Sequence, residues 1–136
     1  MISDRLVELE AFLKANQELC EWPHLVKAEP SDDDSQVSLL MQINADLIYF
    51  AGHFPSQAVL PGVVQTHWAA EFAKHLFGLS GFSQLKGMKF NTMILPGTQI
   101  NLILSLKPLP SSVRFRFLHE AQICSTGTIQ FAEGVA

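Results

Sequence analysis

Apolar residues near the start of the chain recur at the spacing of an amphipathic helix. They form one face, which comprises Leu6, Leu9, Phe12 and Leu13, and this period of about 3.6 residues predicts a helix. Ser3 is a residue type that caps helix N-termini, and the helix is expected to end before the Trp22-Pro23 pair. Residues 1–27 are therefore predicted to hold one helix and a connection.

A polar segment and two short apolar runs follow. The polar segment, AEPSDDDSQ at 28–36, is rich in residues that favour turns, so it is predicted to be a loop. Its aspartates lack the alternating oxygen ligands and the closing glutamate of a calcium loop. The runs VSLLMQI at 37–43 and ADLIYF at 45–50 predict two strands.

The longest helix is predicted from Pro61 to about Phe77. Proline is favoured in the first turn of a helix, and Gly78 is a typical helix end. At 100° per residue, apolar side chains cover roughly two-thirds of the circumference; they are Val63, Trp68, Ala69, Ala70, Phe72, Ala73, Leu76 and Phe77. The remaining sector holds His67, Glu71, Lys74 and His75.

A helix this apolar is expected to be covered by a sheet and again by a further element. Two polar residues, Gln65 and Thr66, nevertheless fall inside the apolar sector near the start of the helix. Because buried polar groups require hydrogen-bond partners, a polar pocket is predicted at this end.

Four strand-like segments make up most of the remaining chain. They are QLKGMKFN, TQINLILSLK, SVRFRFLHE and AQICSTGTIQF, separated by turn residues at 95–97 and 108–112. Consecutive strands favour an antiparallel meander over crossover connections. The predicted fold class is therefore α+β, with one central helix against a six-stranded antiparallel sheet. Residues 1–136 are predicted to form a single domain whose core spans 36–132.

The composition limits the classes of partner that the protein is expected to bind. Of 136 residues, 48% are apolar and only 16% are charged, with a formal net charge of −4, which suggests that a partner subunit covers part of the surface. The basic residues are scattered, which argues against nucleic acid and anionic membranes. Four of them suit either a solvated strand face or a contact with a phosphate or an acidic carrier protein; they are Lys86, Lys89, Arg114 and Arg116.

Neither a membrane span nor an export signal is predicted, and a cytoplasmic location is expected. No apolar run reaches the roughly 18 residues that cross a bilayer, and the N-terminus lacks the apolar stretch of a signal peptide. Cys20 and Cys124 have no metal-binding spacing, so both are predicted to be reduced, buried thiols. His67 and His75 lie about 12 Å apart along one helix, too far to bind one metal ion, and no metal site is expected.

The stretch from 50 to 72, FAGHFPSQAVLPGVVQTHWAAEF, combines a helix start with two histidines. A helix that starts at Pro61-Gly62 presents free N–H groups and the positive end of its dipole, which suit a carbonyl oxygen that gains negative charge. His53 precedes it on a loop, and imidazole titrates near neutrality, as a general base requires. On these features alone, a structural histidine and a plain helix cap explain the residues equally well.

Residues 52–63, GHFPSQAVLPGV, resemble the GHFP…P…PGV signature of the β-hydroxyacyl-acyl-carrier-protein dehydratases, which have the hot-dog fold. The following QTHWAAEF is similar to the subgroup found with aryl-polyene biosynthesis, and weaker likeness covers 36–131. The resemblance implies a long helix wrapped by a curved antiparallel sheet. It also implies two subunits whose sheets run together, with a site at their interface in a tunnel for the acyl chain and the phosphopantetheine arm.

The resemblance also implies roles for the residues of the signature. The motif histidine, a catalytic base, falls on His53, and the backbone donor of the oxyanion-type site falls on Gly62. The other signature residues implied to border the substrate are Phe54, Pro61 and Val63.

The family's catalytic acid, which the other subunit contributes, falls on a position where this chain departs from the pattern. An aspartate or glutamate is replaced by His67, and the glutamine that supports it is replaced by Glu71. Residues four apart on a helix are within side-chain reach, and a carboxylate favours a charged imidazole. One hypothesis is that Glu71 holds His67 as the proton donor. The alternative is a polar stripe that faces solvent or another subunit.

The resulting functional hypothesis is a lyase that dehydrates 3-hydroxyacyl thioesters to trans-2-enoyl thioesters. It requires no cofactor, because the thioester itself acidifies C2. Its expected partners are acyl carrier protein or acyl-coenzyme A, in a homodimer or a higher oligomer. The alternatives are a hot-dog thioesterase and an acyl-binding subunit that supports an active paralogue in a heterodimer.

Overall fold

The computed structural model describes residues 2–51, 58–107 and 111–133. The helices and strands in these ranges are α1 (Ile2–Ala15), β1 (His24–Pro30), β2 (Gln36–Gln42), α2 (Gly62–Phe77), β3 (Ser80–Phe90), β4 (Gln99–Lys107), β5 (Ser112–His119) and β6 (Gln122–Glu133). Two 3-10 turns, Gln17–Leu19 and Ile48–Phe50, lie between them. In these ranges, no helix has the length and apolar character that a membrane crossing requires.

The six strands form one antiparallel sheet in the order β1-β2-β4-β5-β6-β3. The predicted α+β class and strand number are confirmed, but the four-strand meander is wrong for its first strand. Only β4, β5 and β6 are consecutive neighbours, whereas β3 pairs with β6 at the edge of the sheet. The reason is that the connection through α2 carries the chain from β2 to the opposite edge.

The chain before α2 also differs from the prediction at two places. The first is His24–Pro30, so residues 28–30 of the predicted loop are strand and only 31–35 form the turn. The predicted strand at 45–50 is wrong, because Ile48–Phe50 is a 3-10 turn. Local hydrogen bonds replace strand pairing there: the N–H of Leu47 donates to Asn44 O at 3.3 Å, and the N–H of Phe50 donates to Leu47 O at 3.1 Å.

Helix α2 lies between the sheet and α1, as its apolar circumference predicts. Trp68, Phe72 and Leu76 are fully buried, and α1 covers the helix with its buried residues Ile2, Leu6, Leu9 and Leu13. The connection after α1 is tied to the same helix, because Trp68 Nε1 donates a hydrogen bond to Glu21 O at 3.0 Å.

Both cysteines are free thiols. Cys124 is buried on β6 as predicted, and its burial raises the pKa of the thiol. Cys20 is only half-buried, which differs from the prediction. It ends the Gln17–Leu19 turn in a left-handed conformation, with φ of 54°, beside the carboxylate of Asp46, and its Sγ lies 3.8 Å from Asp46 Oδ2.

Candidate functional site

The start of α2 presents backbone donors, as the Pro61-Gly62 pair predicts. Pro61 is the N-cap in an extended conformation, with φ of −61° and ψ of 146°. The N–H groups of Val64 and Gln65 both donate to Pro61 O at 3.1 Å. In the hydrogen bonds between described residues, the N–H groups of Gly62 and Val63 have no acceptor, so they are available at the positive end of the helix dipole.

Gly62 is in close contact with the ring of Phe90, at the end of β3. A Cβ at position 62 would lie 2.8 Å from Phe90 Cε1 and 2.9 Å from Phe90 Cζ. The segment before the helix is fixed to the loop after β3, because the N–H of Leu60 donates to Ile94 O at 2.8 Å. The absence of a side chain at Gly62 therefore lets this aromatic ring pack against the first residue of the helix.

The two polar residues in the apolar sector of α2 have hydrogen-bond partners within the protein, at the end of the helix where the sequence predicts a polar pocket. Gln65 Nε2 donates to Leu60 O at 3.0 Å, and Ser125 Oγ donates to Gln65 Oε1 at 2.7 Å. Thr66 Oγ1 donates to Gly62 O at 3.0 Å. The bonds of Gln65 therefore brace the start of α2 against β6, whereas the hydroxyl of Thr66 is satisfied within its own helix.

An apolar groove of about 490 Å³ opens beside the helix start, between α2 and β3. We call it the α2–β3 groove. Its lining residues are Gly62, Val63, Thr66, His67, Ala70, Glu71, Lys74, Phe82, Leu85, Met88 and Phe90. Several large apolar side chains there are open to solvent: Val63 is 78% exposed, Phe82 55% and Phe90 51%.

The strand register explains the apolar wall that β3 provides. Phe82, Leu85 and Phe90 stand opposite Phe131, Ile129 and Ser125 of β6, all of which are buried. Directly opposite residues project to the same face of a sheet, so the three β3 side chains lie on the face that α2 covers elsewhere. The groove is therefore the part of the inner sheet face that the helix leaves uncovered.

His67 and Glu71 both line the groove but have different partners. His67 is exposed, and its ring packs on Trp22 with the ring centroids 5.3 Å apart. Glu71 Oε1 lies 3.4 Å from Lys74 Nζ. A contact between Glu71 and His67 is not found in the hydrogen bonds of the described ranges. The structure thus pairs Glu71 with a lysine, whereas the sequence hypothesis paired it with the histidine.

The structure describes only some of the remaining predicted site residues. His53 and Phe54 fall within 52–57, outside the described ranges. Pro61, Gly62 and Val63 are together at the helix start and groove, as expected from their adjacency.

Two features of the site were missed by the sequence reasoning. The inner face of β3 carries a weak signal, since the apolar residues at 82, 85, 88 and 90 recur along one strand. Trp22 carries no comparable signal, because it belongs to a connection far from His67 in sequence.

Comparison with solved structures supports the expected architecture. A protein from Xenorhabdus doucetiae, in a structure described as the dehydratase heterocomplex ApeI:P, has a TM-score of 0.76 and 28% identity, with 82% of this chain and 99% of that chain covered. An uncharacterized protein from Erwinia carotovora subsp. atroseptica has a TM-score of 0.70 and 28% identity, with 82% and 96% covered. The predicted hot-dog fold is confirmed.

Sequence comparison identifies dehydratases as relatives. The 3-hydroxyacyl-acyl-carrier-protein dehydratase FabZ of Deinococcus radiodurans is 28% identical over an alignment of 81 residues that covers 53% of this chain and 54% of that protein. The match therefore spans about half the length of this curated relative. The ApeI-like family, described as ApeI dehydratase, matches residues 29–128. Because that match includes most of the chain, from the end of β1 into β6, the protein belongs to the ApeI-like dehydratase family.

Proposed function

We propose that this protein is a lyase that removes water from 3-hydroxyacyl thioesters to give trans-2-enoyl thioesters, in fatty acid or polyene biosynthesis. The observation that carries the proposal is the helix start at Gly62, which lines the apolar α2–β3 groove and whose N–H has no acceptor among the described residues, in a chain of a dehydratase family. A thioester oxygen suits the N–H donor, and an acyl chain suits the groove.

The proposed reaction needs two proton transfers. His53 removes a proton from C2, and the electron pair of that bond forms the C2–C3 double bond as the C3–O bond breaks. The N–H of Gly62 stabilises the negative charge that develops on the thioester oxygen. His67 donates a proton to the departing hydroxyl, which leaves as water. No cofactor takes part, because the thioester already acidifies C2.

A second copy of the chain is the proposed cover of the groove. β3 is an edge strand, and an unpaired edge favours pairing with another strand. Its apolar side chains Phe82, Leu85 and Phe90 are exposed, as expected of a surface that a partner buries. A homodimer joined along β3 would continue the sheet and enclose each groove.

The proposed acyl carrier is an acidic carrier protein, with coenzyme A as the alternative source of the same phosphopantetheine arm. The strand register supports a basic surface on the outer face of the sheet. Arg114 and Lys86 flank Thr128 in one row, and Arg116 and Lys89 flank Thr126 in the next. Within the described ranges none of these four cations has an ion-pair partner, so the surface is available to phosphate or carboxylate groups.

The decisive experiment follows the interconversion of 3-hydroxyacyl and 2-enoyl thioesters by mass spectrometry, on carrier protein and on coenzyme A separately. We expect interconversion by the unmodified protein, little or none by His53→Ala, and a large loss of rate in His67→Ala. Absence of interconversion by the unmodified protein on both carriers would contradict the proposal. A near-normal rate in His67→Ala would remove that residue from the mechanism.

A second candidate function is a subunit of a heterodimer in which a partner supplies the acid. It is favoured by the Lys74 partner of Glu71, which leaves His67 without the predicted carboxylate support, and by the similar heterocomplex structure. The distinguishing test mixes the protein with an ApeI-type dehydratase. Activity only in the mixture would support the subunit role, and equal activity alone would contradict it.

A further inference from the structure

We infer that Trp22 is a positioning residue that fixes the imidazole of His67 at the wall of the α2–β3 groove. The rate consequence of this inference rests on the proposed dehydratase function, whereas the placement of the ring does not. Trp22 lies ahead of residues 29–128, which match the family. Trp22 therefore belongs to the N-terminal segment, whereas the residues that line the groove lie within the region that matches the family.

The contact between the two rings is direct. Their centroids are 5.3 Å apart and their planes are inclined by 34°, within the range of favourable aromatic packing. His67 is exposed and lines the groove. An exposed side chain otherwise samples several rotamers, so a ring packed on one face of the imidazole restricts it to positions beside the groove.

Trp22 is itself fixed by contacts with several other residues. A side chain that positions another must have little freedom of its own. Its ring packs edge-on to Phe12 at 5.2 Å and obliquely on Phe72 at 5.7 Å. The preceding residue is tied to the centre of α2, since Glu21 O accepts the hydrogen bond from the buried Trp68. The following residue, Pro23, restricts the backbone of Trp22 to extended conformations.

The arrangement supports His67 by an aromatic ring and not by the carboxylate of Glu71. Glu71 contacts Lys74, so in this structure the ordering of His67 comes from Trp22 and not from an acidic neighbour. Catalytic groups lose much of their effect when they are misplaced by about 1 Å. A residue that only packs on His67 is thus expected to affect kcat without touching the substrate.

The test compares Trp22→Leu, which removes the ring, with Trp22→Phe, which keeps a smaller one. The ring protons of His67 can be assigned in ¹H–¹³C spectra by the loss of their signals in His67→Gln. These signals should shift in Trp22→Leu, because the ring current of the indole is gone. For the rate, we expect kcat to fall about tenfold to a hundredfold in Trp22→Leu with KM unchanged, and to recover substantially in Trp22→Phe. Trp22→Leu should cause no further loss in a His67→Ala background.

The matched control is His75→Gln, which removes another α2 imidazole that packs on an aromatic ring, in this case Phe12 of α1 with the ring centroids 4.8 Å apart. It should leave kcat unchanged. Unmoved His67 resonances in a folded Trp22→Leu protein would overturn the inference, and so would an equal loss of rate in the His67→Ala background. If Trp22→Leu does not fold, Trp22→Phe provides the same spectroscopic comparison. An inactive unmodified protein contradicts the proposed function, yet the spectra still decide the placement.

Discussion

Among single residues, Gly127 of β6 is under a strict packing constraint. It stands opposite Phe115, and a Cβ there would lie 2.8 Å from Phe115 Cε2 and would also overlap the sulfur of Met88. Phe115 is fully buried and cannot move aside. We expect Gly127→Ala to lower the free energy of unfolding by about 1–3 kcal/mol, measured by urea denaturation. The cost should be smaller in a Phe115→Leu background; an equal cost in both would show that the clash with the Phe115 ring is not its cause.

Single residues also show what the sequence can and cannot predict about the site. Pro61 and Gly62 were placed correctly, because a helix start is a local property of adjacent residues. Helical periodicity also put His67 and Glu71 in one polar sector, but it gives only the angle of a residue around its axis. It cannot tell which other element covers that angle, so the contact of Trp22 with His67 was not predictable. The Lys74 partner of Glu71 lies on the same helix, and a spacing of three residues allows that pair as readily as a spacing of four allows the pair of His67 with Glu71.

At the scale of elements, one buried side-chain hydrogen bond joins α2 to the sheet. Ser125 Oγ donates to Gln65 Oε1 at 2.7 Å, and both residues are buried. Ser125→Ala leaves the amide oxygen without this donor, so we expect a loss of about 1–3 kcal/mol of unfolding free energy. The control is Ser105→Ala, which removes a half-buried bond to Gln36 that water can replace. A similar loss in both variants would contradict the importance of burial here.

The turn between β1 and β2 is held by Asp33. Its Oδ1 accepts bonds from Ser35 Oγ at 2.7 Å, Ser31 Oγ at 2.8 Å and the N–H of Ser35 at 3.1 Å. These bonds, chiefly that from the Ser35 hydroxyl, lower the pKa of Asp33 from 3.8 to about 2.

A carboxyl group whose pKa is lower in the folded than in the unfolded state stabilises the fold at pH values above its ordinary pKa. This stabilisation is lost as the pH falls toward the pKa of the folded state. Asp33→Ala should therefore lower the urea midpoint at neutral pH, and the difference from the unmodified protein should shrink between about pH 4 and about pH 2. Asp32→Ala, at a position that accepts none of these three bonds, is the control. A difference that stays constant or grows on acidification would contradict the assignment.

The elements that the sequence predicted well are those with one buried face. β2 alternates regularly between half-buried and buried positions, and its strand pattern was correctly identified. β1 was missed because it is an edge strand that is largely exposed and has no such alternation. The run at 45–50 was mistaken for a strand, since apolar content alone does not distinguish a strand from a short 3-10 turn.

At the scale of the whole molecule, the uncovered inner face of β3 predicts self-association. Leu85→Arg puts a charge into the proposed dimer interface, where its burial is costly, so we expect the variant to sediment as a monomer while the unmodified protein sediments as a dimer. The control is Val7→Arg, which alters an exposed apolar residue of α1 away from the groove. Identical sedimentation of the unmodified protein and Leu85→Arg would contradict an interface along β3.

The pairing of β3 with β6 also has a consequence for the order in which the chain assembles during translation. Ser80 pairs with Glu133, about fifty residues later, and β4 and β5 are made in between. At about 5–20 residues per second, a ribosome needs roughly 3–10 s to produce the partner of β3. During that interval β3 lacks its partner in the sheet and both of its edges are open, so the strand is then most prone to pair with another chain.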